Sequence, residues 1–248
     1  MGRIAKQKRI LIEEANRRLL GEQPSDSKIS SIADRIGTAI GDKLSDSFKS
    51  VGDDIEDSLV DDSRYSDYGT DVVTVANKFS GGGYQWGGVS GVCIPLYHDD
   101  QLIRNCGKGD KTHCCGFTLS VAFIVATNRG LLTGKSLSDV KGFSSDWYGA
   151  GGAGCGKLCV TALEDIGIGY EVSLEEAQKG DFCQIWRTNG TGHSVIFLSH
   201  IYEGDNIIGF NYRSSQKSTG GIDDSKEYFD GSGGSMKRDC TFFGRMNP

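Results

Sequence analysis

Apolar residues fall into distinct regimes along this chain. Ile4, Ile10, Leu11, Ala15, Leu19 and Leu20 are spaced for a short amphipathic helix with a basic polar face, stopped by Gly21 and Pro24. From Ile29 the stripe Ile29, Ile32, Ile36, Ile40, Leu44, Phe48, Val51, Ile55, Leu59 advances in steps of three and four. That is a helical pattern, closer to an eleven-residue repeat than to a heptad. Gly37, Gly41 and Gly52 each weaken it by about 1 kcal/mol relative to alanine. Such a helix is marginal alone and needs a partner or a second copy. Val72 to Phe79 reads as another helix, ended by Ser80-Gly81-Gly82-Gly83. Cys114 to Asn128 is almost wholly apolar, a central helix with Gly130 as its stop. Lys157 to Ile166 is a further helix, ended by Gly167.

The pattern then turns to strands. Phe182 to Trp186 and His193 to His200 flank an Asn189-Gly190 turn, a hairpin signal. Asn206 to Arg213 follows the turn at Gly204, and Met236 to Met246 supplies a last strand. Helices first and antiparallel strands after give an α+β plan, with the strands as a meander. Val89 to Lys111 and Leu131 to Gly156 read as long loops. The predicted division is an extension over residues 1–65 and a globular domain over 66–248, with Asp61 to Gly69 as the linker.

Composition narrows the function. A net charge of -6 gives no support to a nucleic-acid partner. No apolar run reaches the roughly 18–20 residues of a membrane span. The stripe before Leu59 has an acidic polar face (Asp42, Asp46, Asp53, Asp54, Asp57), unlike an interfacial membrane helix. The basic leader lacks the apolar core of a secretory signal, which predicts synthesis in a reducing cytoplasm. The 8 cysteines are accordingly read as thiols first, with any Cys93–Cys106 pairing left open. Cys155 and Cys159 have no second pair at zinc-site spacing, and neither metal nor cofactor is called for.

The candidate chemistry starts at His113-Cys114-Cys115-Gly116. A thiol at a helix N-terminus meets the positive end of the peptide dipoles, which favours thiolate. Composition alone favours a buried structural role for such a pair, because free cysteine is among the most buried residue types. A nucleophile also needs a base and a group to orient that base. Among His98, His113, His193 and His200, His193 is the best base: it opens an apolar strand after a Gly-rich turn. His113 is expected to point away from Cys114, and His200 to lie on the surface. Asn211, Ser214 and Gln216 are the candidates for the orienting group, and sequence parity does not choose among them.

Four motifs stand in order: Tyr84-Gln85-Trp86-Gly87-Gly88, His113-Cys114-Cys115-Gly116-Phe117, Gly180-Asp181-Phe182 and Gly192-His193-Ser194-Val195. Together they resemble the NlpC-like and CHAP cysteine hydrolases, papain-fold enzymes that cut peptidoglycan. Ser214-Ser215-Gln216 and Phe243-Gly244-Arg245 fit one branch of that group. The resemblance spans roughly Tyr68 to Pro248. It implies a papain-like domain, Cys114 as nucleophile, His193 as base, and Tyr84 as the active-site tyrosine near the sulfur. It also implies cell-wall stem peptides as substrate. The chain departs from the family pattern where His113 replaces an aspartate and Cys115 a serine, so Cys115 stays open as the nucleophile. A catalytically degenerate papain-like binding module is the rival reading. The extension over 1–65 would dock the domain on a larger assembly such as a virion, or self-associate. Delivery by a dedicated secretion machine is the other route.

Overall fold

A computed structural model describes residues 63–87, 89–106, 109, 111–149 and 154–248. The leader helix and the stripe up to Leu59 lie outside the described residues. The predicted linker is in part structured: Ser63–Tyr68 is a 3-10 helix whose Tyr65 is buried and donates its hydroxyl to the Pro95 carbonyl. The described residues group by their contacts as one unit.

Four α-helices follow in the described chain. α1, Val72–Ala76, is shorter than its predicted span and is capped by Asp71, which accepts from the Thr74 amide. α2, Cys114–Asn128, carries no charge and is buried on nearly every side, as expected of a helix that is apolar all round. Its end matches the glycine signal. Gly130 has a positive φ, its amide reaches the Thr127 carbonyl, and the Leu131 amide reaches Ala126, which closes a Schellman motif.

α3, Leu137–Trp147, corrects the loop expected over 131–156. Its capping box joins Ser136 to Asp139, and it buries Val140, Phe143, Ser144 and Trp147. Those positions step by three, one and three, so the helical signal was present in the sequence. α4, Cys159–Asp165, stops before Gly167 as predicted.

The main sheet has seven antiparallel strands in the order β1-β8-β7-β6-β5-β9-β4. These are β1 Gly81–Gly82, β4 Gly169–Val172, β5 Phe182–Arg187, β6 Gly192–Glu203, β7 Asn206–Gln216, β8 Gly221–Tyr228 and β9 Met236–Met246. The meander holds from β5 to β8. β9 then crosses back to pair with β5, and β4 adds an edge beyond it. A small hairpin, β2 Leu96–His98 and β3 Gln101–Arg104, breaks up the predicted Val89–Lys111 loop. Its turn places Asp99 and Asp100 at positive φ, the conformation of a type I′ hairpin.

The central strands are buried on both faces. Phe182 and Ile196 join the helix-side core with α2, α3 and α4. Their alternates Cys183, Ile185, Val195 and Phe197 form a second core with Phe210, Tyr212 and Phe243. The thiols-first expectation is corrected at one pair: a disulfide joins Cys155, before α4, to Cys240 on β9.

Asp181 locks the entry to β5. Its carboxylate is buried and takes two hydrogen bonds of 2.9 Å from Arg245 and one of 2.7 Å from the Gln178 amide. Removing one partner of a buried pair strands the other. The partly open Arg245 softens the loss, so Asp181→Ala is expected to cost about 3 kcal/mol. That corresponds to a fall of roughly 10 °C in the unfolding midpoint by calorimetry. An unchanged midpoint would reduce the pair to a surface contact.

Candidate active site

α2 delivers Cys114 as its first residue, and β6 delivers His193 as its second. Both line two cavities that meet at the sulfur. The larger, ≈ 610 Å³, includes Tyr84, Trp86, Arg187, Lys217 and Lys226. The smaller, ≈ 220 Å³, includes Cys115, Tyr148, Leu158, Gln184 and Trp186.

Of the candidates for the third group, Gln216, at the end of β7, is the one that meets His193. Its Oε1 lies 3.1 Å from His193 Nε2 and 3.0 Å from the Tyr212 hydroxyl. An amide oxygen only accepts, so His193 donates to it from Nε2, and Nδ1 is the ring nitrogen left to exchange a proton. The other two candidates fall away. Ser214 donates to the Ser194 carbonyl. Asn211 pairs with Ser199 and donates to its hydroxyl. That is six residues along β6 from His193, about 20 Å at strand rise. Tyr84 sits on the cavity wall, held by a bridge to Thr112. Burial, and then the negative charge that develops on Cys114, push its phenol up.

Two buried hydroxyl pairs fix these three residues through their neighbours. Thr112 and Ser215 meet at 2.7 Å, one residue from His113 and one from Gln216. Thr118 and Ser194 meet at 2.8 Å, joining the second turn of α2 to the residue after His193. The Thr118 oxygen also accepts from Trp147 Nε1 and lies 3.0 Å from the Cys114 carbonyl. Sequence reasoning missed this network. Its signal was the polar Thr118 and Ser194 set within apolar runs.

His113 does not point away from Cys114. Its Nδ1 accepts from the Gly116 amide at 3.3 Å and caps α2. The ring is buried between Trp86 and Tyr148, at centroid distances of 5.2 and 5.5 Å. The loop at Gly91 presses on it so closely that a Cβ at Gly91 would come within 2.2 Å of the ring. A Cβ at Gly116 would come within 2.1 Å of the Gly91 backbone. Glycine at both positions is therefore required for this approach. His113, Cys114 and Cys115 are also the described residues whose donors cluster as metal ligands would. His98 and His200 serve structure, each bonding a backbone carbonyl from another segment (Lys135 and Leu174). His200 is half-buried rather than a surface residue.

The two sulfurs are 3.8 Å apart and differ in state. Cys115 hydrogen-bonds Cys114 and holds its thiol well below the ordinary range, against burial and with help from His113 and His193. The same bond, with burial and the negative charge of Cys114, drives the Cys115 thiol well up. Of the two, Cys114 is the thiol disposed to ionise and Cys115 its donor. Cys93 and Cys159, each pushed up to about 12 chiefly by burial, are inert by comparison.

Cys115→Ala tests this assignment. A hydrogen bond to a charged group is worth roughly 1.5–3 kcal/mol, or about 1–2 units of pKa. The thiolate fraction is lost as pH falls through the pKa, so raising that pKa moves the acid limb of Cys114 alkylation upward. At a pH on that limb, labelling is expected to slow about tenfold or more. An unmoved limb would leave the two histidines as the groups that hold the thiolate.

No family model, curated protein or solved structure matches this chain. The fold is α+β, with one large antiparallel sheet and a few helices over the described residues. No described helix is long and apolar enough to cross a membrane.

Proposed function

We propose that residues 66–248 form a papain-like cysteine hydrolase that cleaves an amide bond in bacterial cell-wall peptides. The observation that carries the reading is the relay of Cys114, His193 and Gln216, with a thiol held low at one end and an amide acceptor at the other. The motif order from Tyr84 to His193 supports the class of enzyme.

In the proposed reaction the Cys114 sulfur attacks the substrate carbonyl carbon. The oxyanion is held by the Cys114 amide, one of the first N–H groups of α2, which have no partner within the helix. His193 has taken the Cys114 proton, and as the C–N bond breaks it gives that proton to the leaving amine. Water then attacks the thioester and loses a proton to His193. A carboxylate is released and the Cys114 sulfur is restored. Neither a metal nor a cofactor enters these steps.

The cavities support an extended peptide crossing the sulfur. The larger carries Lys217 and Lys226, as well as an Arg187 that is paired with Glu227, which suits carboxylate-bearing stem peptides. In the smaller, Gln184 is buried and its Oε1 has no partner. The Cys155–Cys240 disulfide suits work outside a reducing cytoplasm.

Digestion of purified cell wall by the full chain, with products identified by mass, tests the proposal. Release of peptide fragments with a new amine and a new carboxylate is expected. Intact wall after prolonged incubation with alkylatable Cys114 would favour the binding-module reading.

A further inference from the structure

The relay leaves two buried groups of the same cluster without a catalytic task, His113 and Cys115. Together with Cys114 they offer three soft donors, all within 4.8 Å of one another. The geometry of the sulfurs is informative. With zinc–sulfur bonds of about 2.3 Å in a tetrahedral site, two thiolates stand about 3.8 Å apart. The Cys114 and Cys115 sulfurs are separated by 3.8 Å. The same spacing serves the S–H···S hydrogen bond, so a cation would replace the shared proton without moving the sulfurs.

We propose that His113, Cys114 and Cys115 form a binding site for Zn²⁺, which masks the Cys114 sulfur when it is filled. Two thiolates and an imidazole select a borderline-soft cation over Mg²⁺ or Ca²⁺. Two thiolate charges neutralise the dication, as a buried position requires. The fourth corner goes to a water or to His193, which lines both cavities with Cys114. The ion has a way in, because Cys114 lines both cavities and Cys115 the smaller one. Trp86, Tyr148 and the Gly91 loop keep the His113 ring beside the sulfurs, and binding exchanges its 3.3 Å bond from the Gly116 amide for the ion, because a metal-bound imidazole with a proton on its other nitrogen has no lone pair to spare. The site also gives a task to the two positions where the chain departs from the cysteine-hydrolase pattern. Silencing of hydrolysis by zinc rests on the proposed function; the binding itself does not.

The test is a Co²⁺ titration of the full chain, read by absorption. Tetrahedral ligand-field bands with thiolate-to-cobalt charge transfer are expected, and Zn²⁺ should bleach them at one equivalent. Zn²⁺ should also slow alkylation of Cys114, mapped by mass, and a chelator should restore it. His113→Asn keeps a good helix cap, and Cys115→Ser keeps the shape. Each is expected to weaken Co²⁺ binding by at least about tenfold, the scale set by lost support at metal sites. Absence of charge-transfer bands at saturating Co²⁺ overturns the proposal, as do bands unchanged in both variants. Should a variant fail to fold by circular dichroism, protection of the unaltered chain decides, and unprotected Cys114 overturns the site. An inactive hydrolase leaves all these readouts in place, so the two proposals fail separately.

Discussion

Cys114→Ala is expected to lower kcat/KM for cell-wall peptide hydrolysis by on the order of 10⁴-fold or more, the scale seen when a covalent nucleophile is removed. The fold should survive, because the change removes one sulfur at the start of a helix whose other contacts are made by Phe117, Thr118 and Leu119. Cys115→Ala is expected to keep turnover near neutral pH and lose it only as the acid limb moves up. The asymmetry follows from position. Cys114 faces both cavities and has His193 at its sulfur. Cys115 reaches only the smaller cavity, and its thiol is driven up by its neighbour. Turnover by each variant, with unfolding midpoints as control, gives the answer. The reverse pattern would move the nucleophile to Cys115.

The parts of the site that were legible in the sequence are those that strong local patterns place. The apolar run of α2 fixes where Cys114 begins a helix. The Asn189-Gly190 turn fixes where β6 begins and hence His193. Gln216 was not separable from Asn211 and Ser214, and the reason is register. Near the β6–β7 turn Glu203 faces Asn206, then an irregularity shifts the pairing so that Ser199 faces Asn211. A second irregularity between Phe197 and Ser199 restores the first register, and Phe197 faces Tyr212. Carried on, that register sets His193 opposite Gln216. Had the shift persisted, His193 would have faced Lys217. Bulges of this kind leave no trace in hydrophobic alternation, yet each moves every later side chain by one place.

Other misses have their own causes. β8 reads Gly-Ile-Asp-Asp-Ser-Lys-Glu-Tyr, with mostly polar side chains, because only its first residues are buried. β4 is a four-residue edge strand. The disulfide escaped because compartment was argued from the leader alone, while pairing depends on β9 lying beside the loop before α4. The hydroxyl pairs Thr112–Ser215 and Thr118–Ser194 link residues 103 and 76 positions apart, and only the packed sheet and helix bring them together.

His193→Ala is expected to cost about 10²–10⁴-fold in kcat/KM, the usual worth of a positioned acid–base group. It should also move the acid limb of Cys114 alkylation upward, since the ring's hydrogen bond and charge help to hold the thiol low. Gln216 acts through His193 as a positioning residue, so its variants should differ in kind. Gln216→Ala leaves the Nε2–H and the Tyr212 hydroxyl without their shared acceptor. The ring then turns freely, and kcat is expected to fall more than KM rises. Gln216→Glu restores an acceptor and adds a negative charge beside the ring. That charge favours imidazolium, so the limb reporting the imidazolium should move to higher pH. A merely structural glutamine would lower activity in both variants and leave the limbs where they are. One result would redraw the relay: full turnover in His193→Ala with loss in His113→Ala. The base would then be the buried ring that caps α2, whose ligand nitrogen lies within 4.8 Å of the Cys114 sulfur.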